Sequence, residues 1–305
     1  MHGQQADADA DGVERGGADG AEPGEAVLAQ ALAAFQTALG PRLIAAYALG
    51  SLAHGGFSPL VSDVDLGLVL DDPFRIKDRF TIRGVTGNVR AGGSPLHRRL
   101  SVFWGTPSTL RGTVRGGRFP PLDRLDLLEY GRLLAGTDAR DAVARPERTE
   151  LLVAGAQFAL GMLGADPDLG ARVKGLVMRD KRGDDPVREI RTPALLASRG
   201  PRRVTKVVLF PVRFLFTAAT GRVGTNALAA EHYLASPDVP ATDLVAAAVA
   251  WRAAPPAEDA AAELLGREVM PLYLHYIDDH IARLDDAGRP RLAGRFRRWR
   301  ARLLA

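Results

Sequence analysis

The sequence contains no cysteine, which excludes disulfide frameworks and metal sites built on thiolates. A metal site in this chain would need oxygen and nitrogen ligands, and such ligands favour hard cations such as Mg²⁺. Long apolar runs are also missing, since none approaches the roughly 18 to 20 residues that a membrane helix needs. The first residues lack the basic start and apolar stretch of a signal peptide. We therefore expect a cytoplasmic protein without a membrane partner.

Lysine is scarce as well. Only four of the forty basic residues are lysine, and the formal net charge is +4. A basic protein often binds nucleic acid, but arginine dominance together with abundant alanine and glycine is typical of a GC-rich genome. The overall charge therefore gives no reason to expect a nucleic-acid partner.

The apolar pattern divides the chain into three parts. Residues 1 to 24 are mainly glycine, alanine and acidic residues, so they predict a disordered acidic tail. Residues 25 to 148 begin with a helical pattern and continue with short apolar runs, which predict a mixed sheet flanked by helices. From residue 149 to 305 the apolar period is helical, which predicts an all-helical domain. The predicted fold class is therefore α+β.

The same pattern places the individual elements. Strands are predicted at 43 to 49, 64 to 70, 100 to 104 and within 127 to 136. The segment 81 to 96 is rich in Gly, Arg and Pro and is predicted to be a hairpin or loop. Helices are predicted at 151 to 163, 201 to 219, 226 to 235, 241 to 252, 257 to 284 and 291 to 300.

The chemistry is concentrated between the first two predicted strands. Gly50 and Ser51 follow a strand and open a short helical turn, whose backbone N–H groups and hydroxyl suit a phosphate. Asp63 and Asp65 are two residues apart, so on a strand both carboxylates project from one face. Such a pair is costly unless a cation lies between the carboxylates. This combination predicts metal-assisted attack on a phosphate.

The segment from 49 to 66 resembles the signature of DNA polymerase β-type nucleotidyltransferases: Gly-Ser, a spacer and an acid-hydrophobic-acid triplet. Residues 207 to 223, Val-Val-Leu-Phe-Pro-Val-Arg through Thr-Gly-Arg-Val, are similar to the helical domain of aminoglycoside (streptomycin/spectinomycin) adenylyltransferases. The resemblance covers most of residues 40 to 255. It implies that residues 25 to 148 form a nucleotidyltransferase domain and that residues 149 to 305 close over the nucleotide and substrate.

The resemblance also implies roles for individual residues. Asp63 and Asp65 would hold Mg²⁺, and Gly50 and Ser51 would contact the phosphates of ATP. Arg213 would reach the phosphates across the cleft, or else form an ordinary interdomain salt bridge. Trp251 lies near an aromatic residue that stacks on adenine in the family, although a core anchor is the simpler interpretation. The implied reaction is Mg²⁺-dependent transfer of AMP from ATP to a hydroxyl acceptor, which we expect to be a small molecule, such as an aminoglycoside, rather than a protein.

Two departures from the family pattern leave alternatives open. The third carboxylate of the family, a metal ligand and general base, falls at Ser101, and a phosphate-binding lysine falls at Asn226. Asp123, Asp126 or Glu129 could supply the missing acid, although such residues are often solvated. The alternatives are a non-catalytic nucleotide-binding sensor on the same fold and a protein AMPylase.

Overall fold

The computed structural model describes residues 18–164, 166 and 185–305. Its first part is built on four strands: β1 Leu43–Leu49, β2 Val64–Leu70, β3 Leu100–Gly105 and β4 Arg132–Gly136. They form one sheet in the order β3-β2-β1-β4. β1 runs antiparallel to β2 and β4, whereas β2 and β3 are parallel. The predicted mixed sheet is therefore confirmed.

Helices cover both faces of this sheet: α1 Ala18–Leu39, α2 Ile76–Arg90, α3 Pro95–Arg98, α4 Pro107–Leu110 and α5 Pro121–Tyr130. The alternation of β2 sorts its side chains between the two faces. Leu66, Leu68 and Leu70 pack in the core under α1 and α2. Val69 packs on the other face, in a core that contains residues of α4 and α5. Asp65 shares the parity of Val69 and therefore faces α5.

The second part is helical: α6 Arg148–Met162, α7 Pro186–Arg191, α8 Pro193–Ser198, α9 Pro201–Thr220, α10 Asn226–Leu234, α11 Thr242–Ala250, α12 Glu258–Asp286 and α13 Pro290–Leu304. One continuous core joins these helices. Pro211 lies inside α9. The predicted order of a mixed sheet followed by helices is thus confirmed.

Two sequence predictions were wrong. The disordered tail was predicted to extend to residue 24, but helix α1 begins at Ala18. Residues 1 to 17 of that prediction lie outside the described residues. The predicted loop at 81 to 96 is largely helix α2. Ile82, Thr86 and Val89 recur at helical spacing and are buried, whereas the glycines of this helix face open space. The high content of Gly and Arg hid this pattern.

The basic C-terminal helix α13 is part of the helical core. Its apolar residues Ala293, Phe296 and Trp299 are fully buried. Arg297 and Arg300 form ion pairs with acidic residues of α12. None of the described helices is long and apolar enough to cross a membrane.

Candidate active site

The ends of three strands converge around Asp65. In the sheet register Asp65 lies opposite Leu49 at the end of β1 and beside Ser101 on the parallel strand β3. Asp63 precedes β2 and lines the same cavities as Asp65. The Gly50-Ser51 turn and the two carboxylates therefore lie together, as the sequence predicts. Ser101, which occupies the position of the family's third carboxylate, lies next to Asp65.

The turn after β1 requires its glycine. Gly50 has a φ of +59°, in the left-handed region that side chains disfavour. A Cβ at this position would also collide with the carboxylate of Asp65. The N–H of Gly50 donates a hydrogen bond of 2.6 Å to Oδ2 of Asp126. The Gly50 N–H, predicted to be free for a phosphate, is therefore engaged by a carboxylate.

Helix α5 adds two carboxylates that sequence reasoning named only as possible substitutes. Asp123 and Asp126 are three residues apart on α5, and both line a cavity with Asp65. Burial raises the pKa of Asp65 well above its usual range, and the charges of Asp63, Asp123 and Asp126 raise it further. Burial also raises the pKa of Asp123 to about 7, with Asp126 as the next cause.

Helix α9 brings cations to the same carboxylates. Arg202 donates to Oδ1 of Asp63 at 2.5 Å, and Lys206 donates to Oδ2 at 2.5 Å. Burial raises the pKa of Asp63, but Lys206 and Arg202 outweigh burial and bring this pKa below its usual range. Arg202, Lys206 and Arg213 are spaced by four and seven residues, so they lie along one face of α9. This face connects the helical part to the sheet.

Arg213 points into the acidic site without binding a carboxylate directly. Its Nε donates to the carbonyl oxygen of Gly224 at 2.5 Å. Asp126 and Asp65 are the two strongest carboxylate charges that act on it. Arg213 forms no ion pair with any described residue. The alternative interpretation of Arg213 as an interdomain salt bridge is therefore not supported. The guanidinium therefore remains able to bind an anion.

Two adjoining cavities open from the carboxylates. The smaller one has a volume of about 120 Å³ and is lined by polar residues that include Ser51, His54, Asp63, Asp65, Lys206, Arg213, Asn226 and Arg252. The larger one has a volume of about 390 Å³ and extends from Asp65, Ser101, Asp123 and Asp126 to phenylalanines of β3, α6 and α9. Both cavities share Asp63, Asp65 and Arg213. The arrangement provides one polar pocket and one largely apolar pocket that adjoin at the carboxylates.

The residues fit a magnesium ion by donor type and by unsatisfied charge. Asp65 forms no hydrogen bond or ion pair with a described residue, and Oδ1 of Asp126 is buried without a hydrogen-bond partner. Carboxylate oxygens are the ligands that Mg²⁺ prefers, and protein sites often use only one or two of them beside phosphates and water. Within the described chain no group of three acidic or imidazole side chains forms a complete metal cluster. A metal at Asp63 would also have to replace Arg202 and Lys206.

Other predicted site residues lie elsewhere or have other partners. Trp251 is 8% exposed and packs in the helical core, outside the lining of both cavities; this is the core-anchor interpretation and not the stacking one. Glu129 accepts a hydrogen bond from the N–H of Val223 at 2.9 Å and pairs with Arg145. Asn226 does line the smaller cavity.

Sequence reasoning missed Arg202 and Lys206. Matching to the family pointed to Asn226 for the missing lysine, whereas Lys206 supplies an ammonium group to the cavity that Asn226 lines. The helical spacing of Arg202, Lys206 and Arg213 was the available signal. Asp63, the common partner of Arg202 and Lys206, lies 143 residues before Lys206, and this contact depends on the tertiary fold.

No protein-family model and no curated protein sequence matches this chain. Among solved structures the chain is similar to an adenyltransferase. That protein is the spectinomycin adenyltransferase from Enterococcus faecialis, crystallised with ATP and spectinomycin; the match covers 80% of this chain and 98% of that chain, with 14% identity and a TM-score of 0.48. No residue role is transferred from this likeness.

Proposed function

We propose that this protein is a nucleotidyltransferase that uses Mg²⁺ and transfers the adenylyl group of ATP to the hydroxyl of a small molecule. One observation carries the proposal: Asp63 and Asp65 line a single cavity with the α9 cations Lys206 and Arg213. Carboxylates that can hold a metal and cations that can hold phosphates are the two requirements of phosphoryl-type transfer.

The smaller cavity is the proposed phosphate site. Lys206, Arg213 and Arg252 line it together with the hydroxyl-bearing Ser51, so it offers both charge and hydrogen-bond donors to a triphosphate. His54 also lines it, and burial with the charge of Arg213 lowers its pKa to about 4. A neutral imidazole can therefore contribute a hydrogen bond there at pH 7 without adding charge.

Asp63 and Asp65 would hold the metal ion, with phosphate and water oxygens as the remaining ligands. When bound, Mg²⁺ would neutralise the charge that develops on the transferred phosphate. Gly50 supports this arrangement in two ways. It leaves room for the carboxylate of Asp65, and its N–H fixes the carboxylate of Asp126.

The proposed step joins the acceptor oxygen to the α-phosphorus and breaks the bond from that phosphorus to the oxygen that bridges to the β-phosphate. Pyrophosphate leaves with the electron pair of the broken bond. The hydroxyl proton moves to the carboxylate of Asp123, which lines the larger cavity beside Ser101 and Asp65. With a pKa of about 7, this carboxylate is well matched to accept a proton near neutral pH. Asp123 thus takes the role that the family pattern gives to the position of Ser101.

Transfer of label from ATP that carries ³²P at the α-phosphate tests the proposal. We expect Mg²⁺-dependent labelling of a small hydroxylated acceptor with stoichiometric release of pyrophosphate. Asp63→Asn should abolish labelling, while Asp71→Asn, at a carboxylate outside both cavities, should leave it unchanged. Label that remains with protein would support the alternative of protein AMPylation.

Two observations favour a second candidate, a non-catalytic nucleotide sensor. Ser101 occupies the position beside Asp65, and Asp63 is already neutralised by Arg202 and Lys206. Such a protein would bind Mg²⁺ and ATP but would release no pyrophosphate with any acceptor. Binding without turnover over a broad panel of hydroxyl compounds would therefore select the sensor.

A further inference from the structure

The larger cavity has an aromatic wall. Phe158 of α6 and Phe210 and Phe214 of α9 form a cluster whose ring centroids are 5.7, 5.9 and 6.0 Å apart. Phe103 of β3 also lines this cavity. Its volume of about 390 Å³ falls within the range of roughly 300 to 1,000 Å³ that is typical of small-molecule sites.

Negative charge in this cavity comes from four carboxylates, among the residues that the structure describes: Asp63, Asp65, Asp123 and Asp126. The charges next to the phenylalanines are positive, because the guanidinium of Arg118 lies 5.3 Å from the ring centroid of Phe103 and that of Arg213 lies 5.7 Å from the ring centroid of Phe210. The other polar side chains on the wall formed by α6 and α9 are Gln157 and Thr217. A ligand with several ammonium groups would lose hydration there without gaining a carboxylate partner.

The position of the larger cavity next to the smaller one indicates which ligand it binds. In phosphoryl-type transfer the attacking and leaving oxygens are roughly in line. If the cations of the smaller cavity hold the leaving pyrophosphate, the attacking hydroxyl must approach from the opposite side. The larger cavity adjoins the smaller one at Asp63 and Asp65 and continues past Asp123 to the apolar wall, so we place the acceptor there.

We propose, on the basis of the proposed function, that the acceptor is an uncharged alcohol with an aromatic or aliphatic ring body. The ring packs on Phe158 and Phe214, and the hydroxyl points to Asp123. A polycationic amino sugar does not match this cavity. The carboxylates of this cavity take part in the proposed transfer reaction. The phenylalanine wall therefore determines which class of acceptor binds.

Calorimetric titration of the full chain tests this proposal. The probes are 2-naphthol, an uncharged ring alcohol, and neamine, a polycationic amino sugar, each with and without Mg²⁺ and α,β-methylene-ATP. We expect 2-naphthol to bind at least tenfold more tightly than neamine. Phe158→Ala and Phe214→Ala should each weaken 2-naphthol binding about tenfold through loss of ring contacts.

Matched variants control for folding and location. Phe80→Ala removes a ring that is 65% exposed on α2 and should leave 2-naphthol binding unchanged. Phe158→Leu retains apolar volume and should weaken binding only about threefold. Phe158→Asp places a carboxylate in the wall and should reverse the preference towards neamine. None of these changes should alter the Kd of the ATP analogue.

The outcomes separate the two proposals. No binding of 2-naphthol, or binding indifferent to Phe158 and Phe214, overturns the acceptor class. The phenylalanine variants could instead weaken binding of the ATP analogue and retain binding of 2-naphthol. This result would mean that the cavity holds the nucleotide base, and it would also overturn the proposed acceptor class. Failure of the ATP analogue to bind the wild-type protein would instead refute the proposed function.

Discussion

Replacement of Asp123 by Asn is the most direct test of how this site works without an acid at position 101. The change keeps the shape of the side chain but removes its ability to accept a proton. Loss of a general base costs roughly 10² to 10⁴ in rate, which corresponds to about 2.7 to 5.4 kcal/mol of activation free energy. The wild-type rate should rise with pH through about 7, because the pKa of Asp123 is raised to that value. The variant should lack this rise.

Ser101 provides the compensating change. Ser101 and Asp65 are neighbours on parallel strands, so an acid at 101 would enter the same cavity end. We expect Ser101→Asp in the Asp123→Asn background to recover part of the lost rate. The assay is pyrophosphate release at saturating Mg²⁺ and ATP with the best acceptor of a panel of ring alcohols and aminoglycosides. An Asp123→Asn variant with the wild-type rate and pH profile would refute this reasoning.

Three further predictions concern ligand binding, the turn after β1 and pH. Mg²⁺ with ATP at a hundredfold excess over Kd should stabilise the folded protein by about 2.7 kcal/mol, and thermal unfolding should show no such shift in Asp63→Asn; an equal shift would exclude this carboxylate as a metal ligand. Gly50→Ala should destabilise the protein by about 1 to 3 kcal/mol in urea unfolding, because of the positive φ and the collision with Asp65; an unchanged midpoint would contradict this. For Asp123 the folded-state pKa of about 7 lies above the ordinary pKa of an aspartate, about 3.9, so this group favours folding below pH 4 and that contribution is lost as pH rises towards 7. Without metal, Asp123→Asn should therefore be more stable than wild type at pH 8 by up to about 4 kcal/mol, and equal urea midpoints at pH 8 would disprove the link.

The sheet and its acidic pair were predictable because their signals are local. The short apolar runs at 43 to 49 and 64 to 70 have the length and flanking turn residues that favour strands. The two-residue spacing of Asp63 and Asp65 predicts their common face on such a strand. Helix α2 was missed because its glycines weaken the helical pattern. Its buried residues are identified in the fold, where α2 packs beside α1 on the sheet.

The remaining site residues depend on tertiary contacts. Asp123 and Asp126 have the spacing of a solvated helix face, and only the packing of α5 on the sheet turns them towards Asp65. Lys206 likewise enters the site because α9 crosses the cleft. The family pattern correctly placed Ser101 beside Asp65. It placed the missing lysine at Asn226 of α10, whereas the ammonium group comes from Lys206 of the preceding helix α9.

The pairing of Asp63 with Arg202 and Lys206 makes ligand binding an exchange of partners. A divalent ion alone would leave two helix cations without their anion, and a triphosphate alone would compete with Asp63 for them. Together the two ligands would replace both sides of this pairing, since the metal would take the carboxylate of Asp63 and the phosphates would take Arg202 and Lys206. Each ligand should then tighten the binding of the other by the same factor. Under the proposed function, we expect the protein to respond to the magnesium–nucleotide complex as a unit and only weakly to either component.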